Sequence, residues 1–117
     1  MKKSLRRIKM TVSRLIDELG LEVLSLPFPE REIKGGFTGD LLSWVMGRAK
    51  ADNVWITIMT NINVVAVASL SDVAAVVIAE NAEIDVGVIK KAEEQGINVL
   101  WSKCPAYETA IAVGKLI

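Results

Sequence analysis

Apolar residues are unevenly distributed along the chain, and their densest run, residues 53–80 (NVWITIMTNINVVAVASLSDVAAVVIAE), sets the expectation for everything else. Residues 54–60 are short and β-branched, which predicts a buried strand. Thr60-Asn61-Ile62-Asn63 then offers a polar turn and a helix N-cap. Residues 64–70 are apolar all round, Ser71-Asp72 interrupt them, and residues 74–79 form a second apolar run of strand length. Strand, turn, buried helix and strand make a βαβ unit whose two strands are covered on both faces.

The run is long enough to cross a bilayer. A span would, however, place Thr57, Thr60, Asn61, Asn63, Ser69, Ser71 and Asp72 at most depths and leave both asparagines unpartnered in hydrocarbon. A soluble sheet is therefore expected, with no membrane association.

On either side the pattern alternates between helical and extended. Val12, Leu15, Ile16 and Leu19 recur at helical spacing behind Thr11 as N-cap, and Gly20 stands where a left-handed C-cap belongs. Residues 21–26 read as a strand ended by Pro27-Phe28-Pro29, which cannot continue a central ladder. Residues 32–38 read as another strand, with Gly35-Gly36 admitting a close backbone or ligand. Asp40 is placed to cap the following helix. Its inward stripe is Leu42, Val45, Met46 and Ala49, while Leu41, Trp44 and Arg48 lie on another face. Asp85 is placed to cap a helix whose thin apolar stripe is Ile89, Ala92 and the stems of Lys90 and Lys91, ended by Gly96. Residues 97–101 form a further strand, and Pro105 opens the last helix at its first position. There Tyr107, Ala110, Ile111 and Gly114 share one face and Ala106, Thr109, Val113 and Ile117 a neighbouring one. Two apolar faces exceed what one sheet needs, and a homodimer surface accounts for the excess. Trp44, Tyr107 and Ile111 are the interface candidates.

The alternation predicts a mostly parallel sheet with right-handed crossovers, and in such sheets ligands bind at the carboxyl ends of the strands. Those ends are residues 38–40, 60–63, 80–81 and 102–104. The ligand-binding candidates are Gly36, Thr38, Gly39, Asp40, Thr60, Asn61 and Asn63; the uncharged donors and acceptors of Thr38, Gly39, Thr60, Asn61 and Asn63 suit a small nucleotide-like molecule or phosphometabolite.

Composition narrows the chemistry. The 117 residues make one domain, and 14 lysines and arginines balance 14 aspartates and glutamates, so no overall basic field points to nucleic acid. Lys2, Lys3, Arg6, Arg7 and Lys9 crowd residues 1–10, a basic tail read either as a solvated extension or as an electrostatic arm for an acidic surface; residues 11–117 are the folded domain. No apolar segment of a signal peptide follows the tail, and Met10 is placed to serve as an internal start. The single cysteine, Cys104, fits a reducing compartment, with the cytoplasm as the default. The sequence holds no histidine, which removes Ser-His and Cys-His catalysis and the commonest zinc ligand. No GxxxxGK[ST] loop is present; the cluster Gly35-Gly36-Phe37-Thr38-Gly39 reads as a tight turn before an anion cradle. Capping is the first reading of Asp40 and Asp85, ahead of acid–base chemistry, and an inert buried thiol is the first reading of Cys104 beside Lys103. No catalytic residue, metal site or cofactor is expected.

The segment running from Gly35-Gly36-Phe37-Thr38-Gly39-Asp40-Leu41-Leu42-Ser43 through Val45-Met46-Gly47-Arg48-Ala49-Lys50 resembles the DRTGG domain family. So do Trp55-Ile56-Thr57-Ile58, the residues from Asn63 to Leu70, and Lys91-Ala92-Glu93-Glu94-Gln95-Gly96-Ile97. The similarity runs from about residue 11 to the end of the sequence. DRTGG domains are similar to the N-terminal domain of HPr kinase/phosphorylase. They accompany CBS domains in regulated pyrophosphatases and also occur as small stand-alone proteins. The resemblance implies a single-domain three-layer α/β sandwich, a mostly parallel sheet of about five strands flanked by helices. It further implies a dimeric regulatory module without catalysis, acting on a protein partner and sensing a small ligand. Kinase chemistry in the family belongs to a separate P-loop domain. Two departures stand out. Thr60-Asn61 replaces the Thr-His of stand-alone members, and Glu80-Asn81 replaces a Gly-Gly turn, removing the glycines that would admit a phosphate.

Overall fold

The computed structural model describes residues 9–117, so the basic tail lies outside the described residues except for its last two positions. Five helices and five strands alternate: α1 (Val12–Leu19), β1 (Glu22–Ser25), β2 (Gly36–Thr38), α2 (Leu42–Arg48), β3 (Val54–Thr57), α3 (Asn63–Ser71), β4 (Ala75–Ile78), α4 (Val86–Gln95), β5 (Val99–Trp101) and α5 (Ala106–Gly114). The apolar run is thus broken into β3, α3 and β4, as its polar interruptions require. Among the described residues no helix is long and apolar enough to cross a membrane.

The strands form one mixed sheet in the order β1-β5-β4-β3-β2. β2 to β5 are parallel and β1 runs antiparallel beside β5. Because the parallel strands advance in one direction, right-handed crossovers put α2, α3 and α4 on the same face. Trp55, Val76, Ile78 and Val99 point into that layer, against Val45, Val64, Val65, Val67, Val88 and Ala92. Val54, Ile56, Ala75, Val77 and Leu100 point the other way, against Val12 and Leu15 of α1 and Val113 of α5. Every residue of β3 and β4 is buried, the signature of strands covered on both faces. The result is the expected three-layer α/β sandwich.

Local rules place the element ends. Thr11 caps α1 by accepting from the Arg14 amide at 3.2 Å, and Gly20 and Gly96 close α1 and α4 in the left-handed conformation. Other expectations need correction. Met46 is exposed, since Val45, with Leu42 and Ala49 partly buried beside it, fills the sheet side of the short α2. In α4 it is Val88, with Ala92, that is buried, and Ile89 is only partly covered. Pro105 is the residue before α5, one position earlier than expected. The strand expected over residues 32–38 shrinks to Gly36–Thr38, because Gly35 adopts φ +96 and turns the chain. Cys104 is exposed.

Candidate functional site

The four parallel strands end on one side of the sheet, and the connections there are held by specific side chains. Asp40 does not cap α2, whose N-cap is Leu41 without a side-chain bond. Its Oδ1 accepts instead from the Thr57 hydroxyl at 2.8 Å and the Ile58 amide at 2.9 Å, tying the connection after β2 to the end of β3. Gly39 is equally structural: its carbonyl accepts from the Trp55 indole N–H at 2.8 Å, and a Cβ there would stand 3.0 Å from Phe37. Asn63 is the first residue of α3, not its cap; its amide is held by Asn61 Oδ1 at 2.8 Å.

The turn after β4 keeps the shape of a glycine pair without glycine. Glu80 and Asn81 adopt φ of 66 and 54, both left-handed. Neighbouring groups hold this strained backbone. The Glu80 and Asn81 amides donate to the Cys104 and Ser102 carbonyls at 2.8 and 3.1 Å, and Glu80 Oε2 accepts from the Ala106 amide at the start of α5 at 2.7 Å. The carboxylate therefore sits where the positive end of α5 favours negative charge.

Between the connections after β3 and β4 lies a cleft of about 590 Å³, lined by Thr60, Asn61, Ile62, Glu83, Ile84, Asp85, Gly87 and Val88. The turn leading into α3, up to its N-cap Ile62, and the first turn of α4 border it. Asp85 occupies the N-cap position of α4 but its side chain makes no capping bond, which leaves its carboxylate available to the cleft. Asn61 spends its carbonyl on α3. Thr60 contributes a hydroxyl, Glu83 and Asp85 contribute acceptors, and among the described residues neither lysine nor arginine lines the space. Such a lining favours ligand groups that donate hydrogen bonds, such as sugar hydroxyls and ring amines, over a bare phosphate.

Only Thr60 and Asn61 of the ligand candidates line this cleft. Gly36 and Thr38 line a second depression of about 420 Å³ beside β2, with Phe37, Ile56, Ala110, Val113, Gly114 and Ile117. The acidic wall, Glu83 to Val88, was not among the sequence candidates. The one signal for it was the position of residues 80–85 after the second strand of the buried βαβ unit.

The interface candidates fall on both sides of the sheet. Trp44 of α2 is 56% exposed, with the Arg48 guanidinium 4.1 Å above its ring. Tyr107 and Ile111 of α5, 74% and 40% exposed, lie on the opposite layer. Thr109 and Val113 are the buried residues of α5, Ala106 and Ala110 pack partly against the core, and Tyr107, Ile111 and Ile117 stay exposed, so neither predicted face is wholly packed or wholly open.

No protein-family model and no curated protein matches the chain. Among solved structures, a match is the CBS and DRTGG domains of the regulatory region of Clostridium perfringens pyrophosphatase, determined with its activator, diadenosine tetraphosphate. The TM-score is 0.72 at 10% identity, over 88% of this chain and 45% of that one. The fold is DRTGG-like. This DRTGG-like chain spans less than half the length of the regulatory region it matches. The likeness carries the fold, and agrees with the motifs from Gly35 to Ile97.

Proposed function

We propose that the chain is a cytoplasmic regulatory domain without catalysis of its own, which senses a small nucleoside-containing ligand, homodimerises and modulates a partner protein. The observation that supports this most directly is the cleft at the carboxyl ends of β3 and β4, where a parallel sheet presents its loops to ligands. Its volume of about 590 Å³ falls within the range of small-molecule sites. The pyrophosphatase region of the same fold is regulatory and binds a dinucleotide activator, which makes an adenosine-bearing ligand the first class to test.

The acidic lining sharpens the choice. Glu83 and Asp85 would repel an unescorted polyphosphate but accept hydrogen bonds from ribose and the adenine amine. Recognition then rests on the nucleoside, with the phosphates directed to solvent. A phosphometabolite without a nucleoside is disfavoured by the same two carboxylates.

Thermal unfolding with adenosine, ATP and diadenosine tetraphosphate tests the reading. A ligand bound only by the folded chain raises stability by about 2.7 kcal/mol at a hundred times its dissociation constant. The expected result is a concentration-dependent rise in midpoint with one or more of the three, abolished by Glu83→Lys. A midpoint unmoved by all three at millimolar concentration would sink the proposal.

A further inference from the structure

Two tryptophans on one face of the sheet do the same job at different places. Trp55 of β3 and Trp101 of β5 both pack into the layer of α2, α3 and α4, and each donates its indole N–H to a backbone carbonyl at 2.8 Å. Trp55 is fully buried and holds Gly39, in the connection after β2, none of whose residues lines the cleft. Trp101 is only partly buried and holds Ala82, in the connection that supplies the acidic wall. The Ala82 carbonyl and the Glu83 amide belong to one planar unit, so fixing the carbonyl also fixes the backbone from which the Glu83 side chain departs. Beyond the wall, the Asp85 carbonyl accepts from the Val88 and Ile89 amides at 3.0 and 3.2 Å and so starts α4. The wall is suspended between these two anchors. Ala82 and Ile84 pack toward the core, and Glu83 and Asp85 are left exposed.

We infer that Trp101 is a positioning residue for ligand binding: its indole N–H, with the Glu80 carboxylate behind it, aims Glu83 and Asp85 into the cleft. The proposal rests on the reading of the cleft as the ligand site and adds residues that do not line it. Packing alone would be served by phenylalanine, whereas only the indole N–H can hold the Ala82 carbonyl. Upstream, the left-handed pair Glu80-Asn81 has no glycine to make its shape easy. That shape is kept by bonds to the segment after β5: both amides donate to Cys104 and Ser102 carbonyls, and the Glu80 carboxylate accepts from the Ala106 amide at 2.7 Å. Trp101 is the last residue of β5, directly before that segment. The end of β5 and the start of α5 therefore act together as a bracket for a wall that stands in the opposite layer.

Titration calorimetry with diadenosine tetraphosphate and thermal unfolding, run on Trp101→Phe and Trp55→Phe, test this. Both replacements keep an aromatic ring and delete the indole N–H. Trp55 is the more deeply buried, so Trp55→Phe should lower the unfolding midpoint more. Trp101→Phe should nonetheless be the variant that weakens binding, by about five- to tenfold, with Trp55→Phe within about twofold of the parent. Affinities that fall in the order of the midpoints would mean that Trp101 only stabilises the fold, and would overturn the proposal. If Trp101→Phe fails to fold, Glu80→Ala and Glu80→Gln decide. Glutamine keeps an oxygen for the Ala106 amide and should bind like the parent, whereas alanine should bind about fivefold more weakly. Equal affinities in these two variants would overturn the bracket. A parent chain that binds none of adenosine, ATP and diadenosine tetraphosphate sinks the ligand reading, and amide relaxation of the free chain then decides the positioning role. Order parameters at residues 83–85 that fall from about 0.85 toward about 0.6 in Trp101→Phe but not in Trp55→Phe uphold it, and unchanged values overturn it.

Discussion

The amino and carboxyl ends of the parallel strands are built to opposite purposes. At the amino end Arg31 bridges Asp52 Oδ1 at 2.9 Å and Asp72 Oδ1 at 3.1 Å, joining the chain before β3 to the chain before β4. Asn98, 3% exposed, accepts from the Phe28 amide and donates to the Phe28 and Ala74 carbonyls. Asn53, also buried, links the Lys50 amide to the Lys34 carbonyl. Charges and amides there are spent on each other; a hollow of about 200 Å³ touches Arg31, Asp72 and Asn98, and another of about 380 Å³ lies beside Lys34 and Gly35. At the carboxyl end Asp40 and Glu80 fix two connections to backbone amides, while Thr60, Glu83 and Asp85 stay free around a space of about 590 Å³. One end of the sheet is a brace and the other a receptacle. The difference teaches that polar residues near a sheet must be sorted by whether their hydrogen bonds are already used.

Removing a brace should cost most. Asn98→Ala leaves the buried Ala74 carbonyl and two partly buried Phe28 backbone groups without their partner and is expected to destabilise the fold by about 3 kcal/mol. In thermal denaturation that is a fall on the order of 10 °C for a domain of this size. A loss below about 1 kcal/mol would mean that water replaces the amide at that end. Asp40→Ala should cost less, about 1–2 kcal/mol, because the Ile58 amide it releases is exposed while only the Thr57 hydroxyl is buried. Urea denaturation measures it, with an unchanged slope expected. If Asp40→Ala proved the more damaging, the assignment of brace and receptacle would be reversed.

The brace and the receptacle were not equally legible in the sequence. Periodicity and capping located the βαβ core, the end of α1 at Gly20 and the end of α4 at Gly96, because those features depend on residues within one turn of each other. The alliances of Asp40 with Thr57 and of Asn98 with Phe28 join residues 17 and 70 positions apart, and no local pattern announces them. Asp40 was thus read as a cap, the commonest local use of an aspartate before a helix. The cleft was half legible. Thr60 and Asn61 follow from the rule that ligands sit at strand carboxyl ends, but the wall from Glu83 to Val88 depends on how far the next connection runs before α4 begins. Glu80-Asn81 shows the same limit, since a left-handed pair is ordinarily announced by glycine and here depends on bonds to Ser102, Cys104 and Ala106.

The central claim is that the carboxyl-end cleft receives the ligand, and amide chemical-shift mapping of the labelled chain with diadenosine tetraphosphate tests it most directly. The account predicts saturable shifts concentrated at residues 60–62 and 83–88, with Asn53 and Asn98 unmoved. Shifts centred on the Arg31, Asp52 and Asp72 cluster, or along β2 alone, would contradict it.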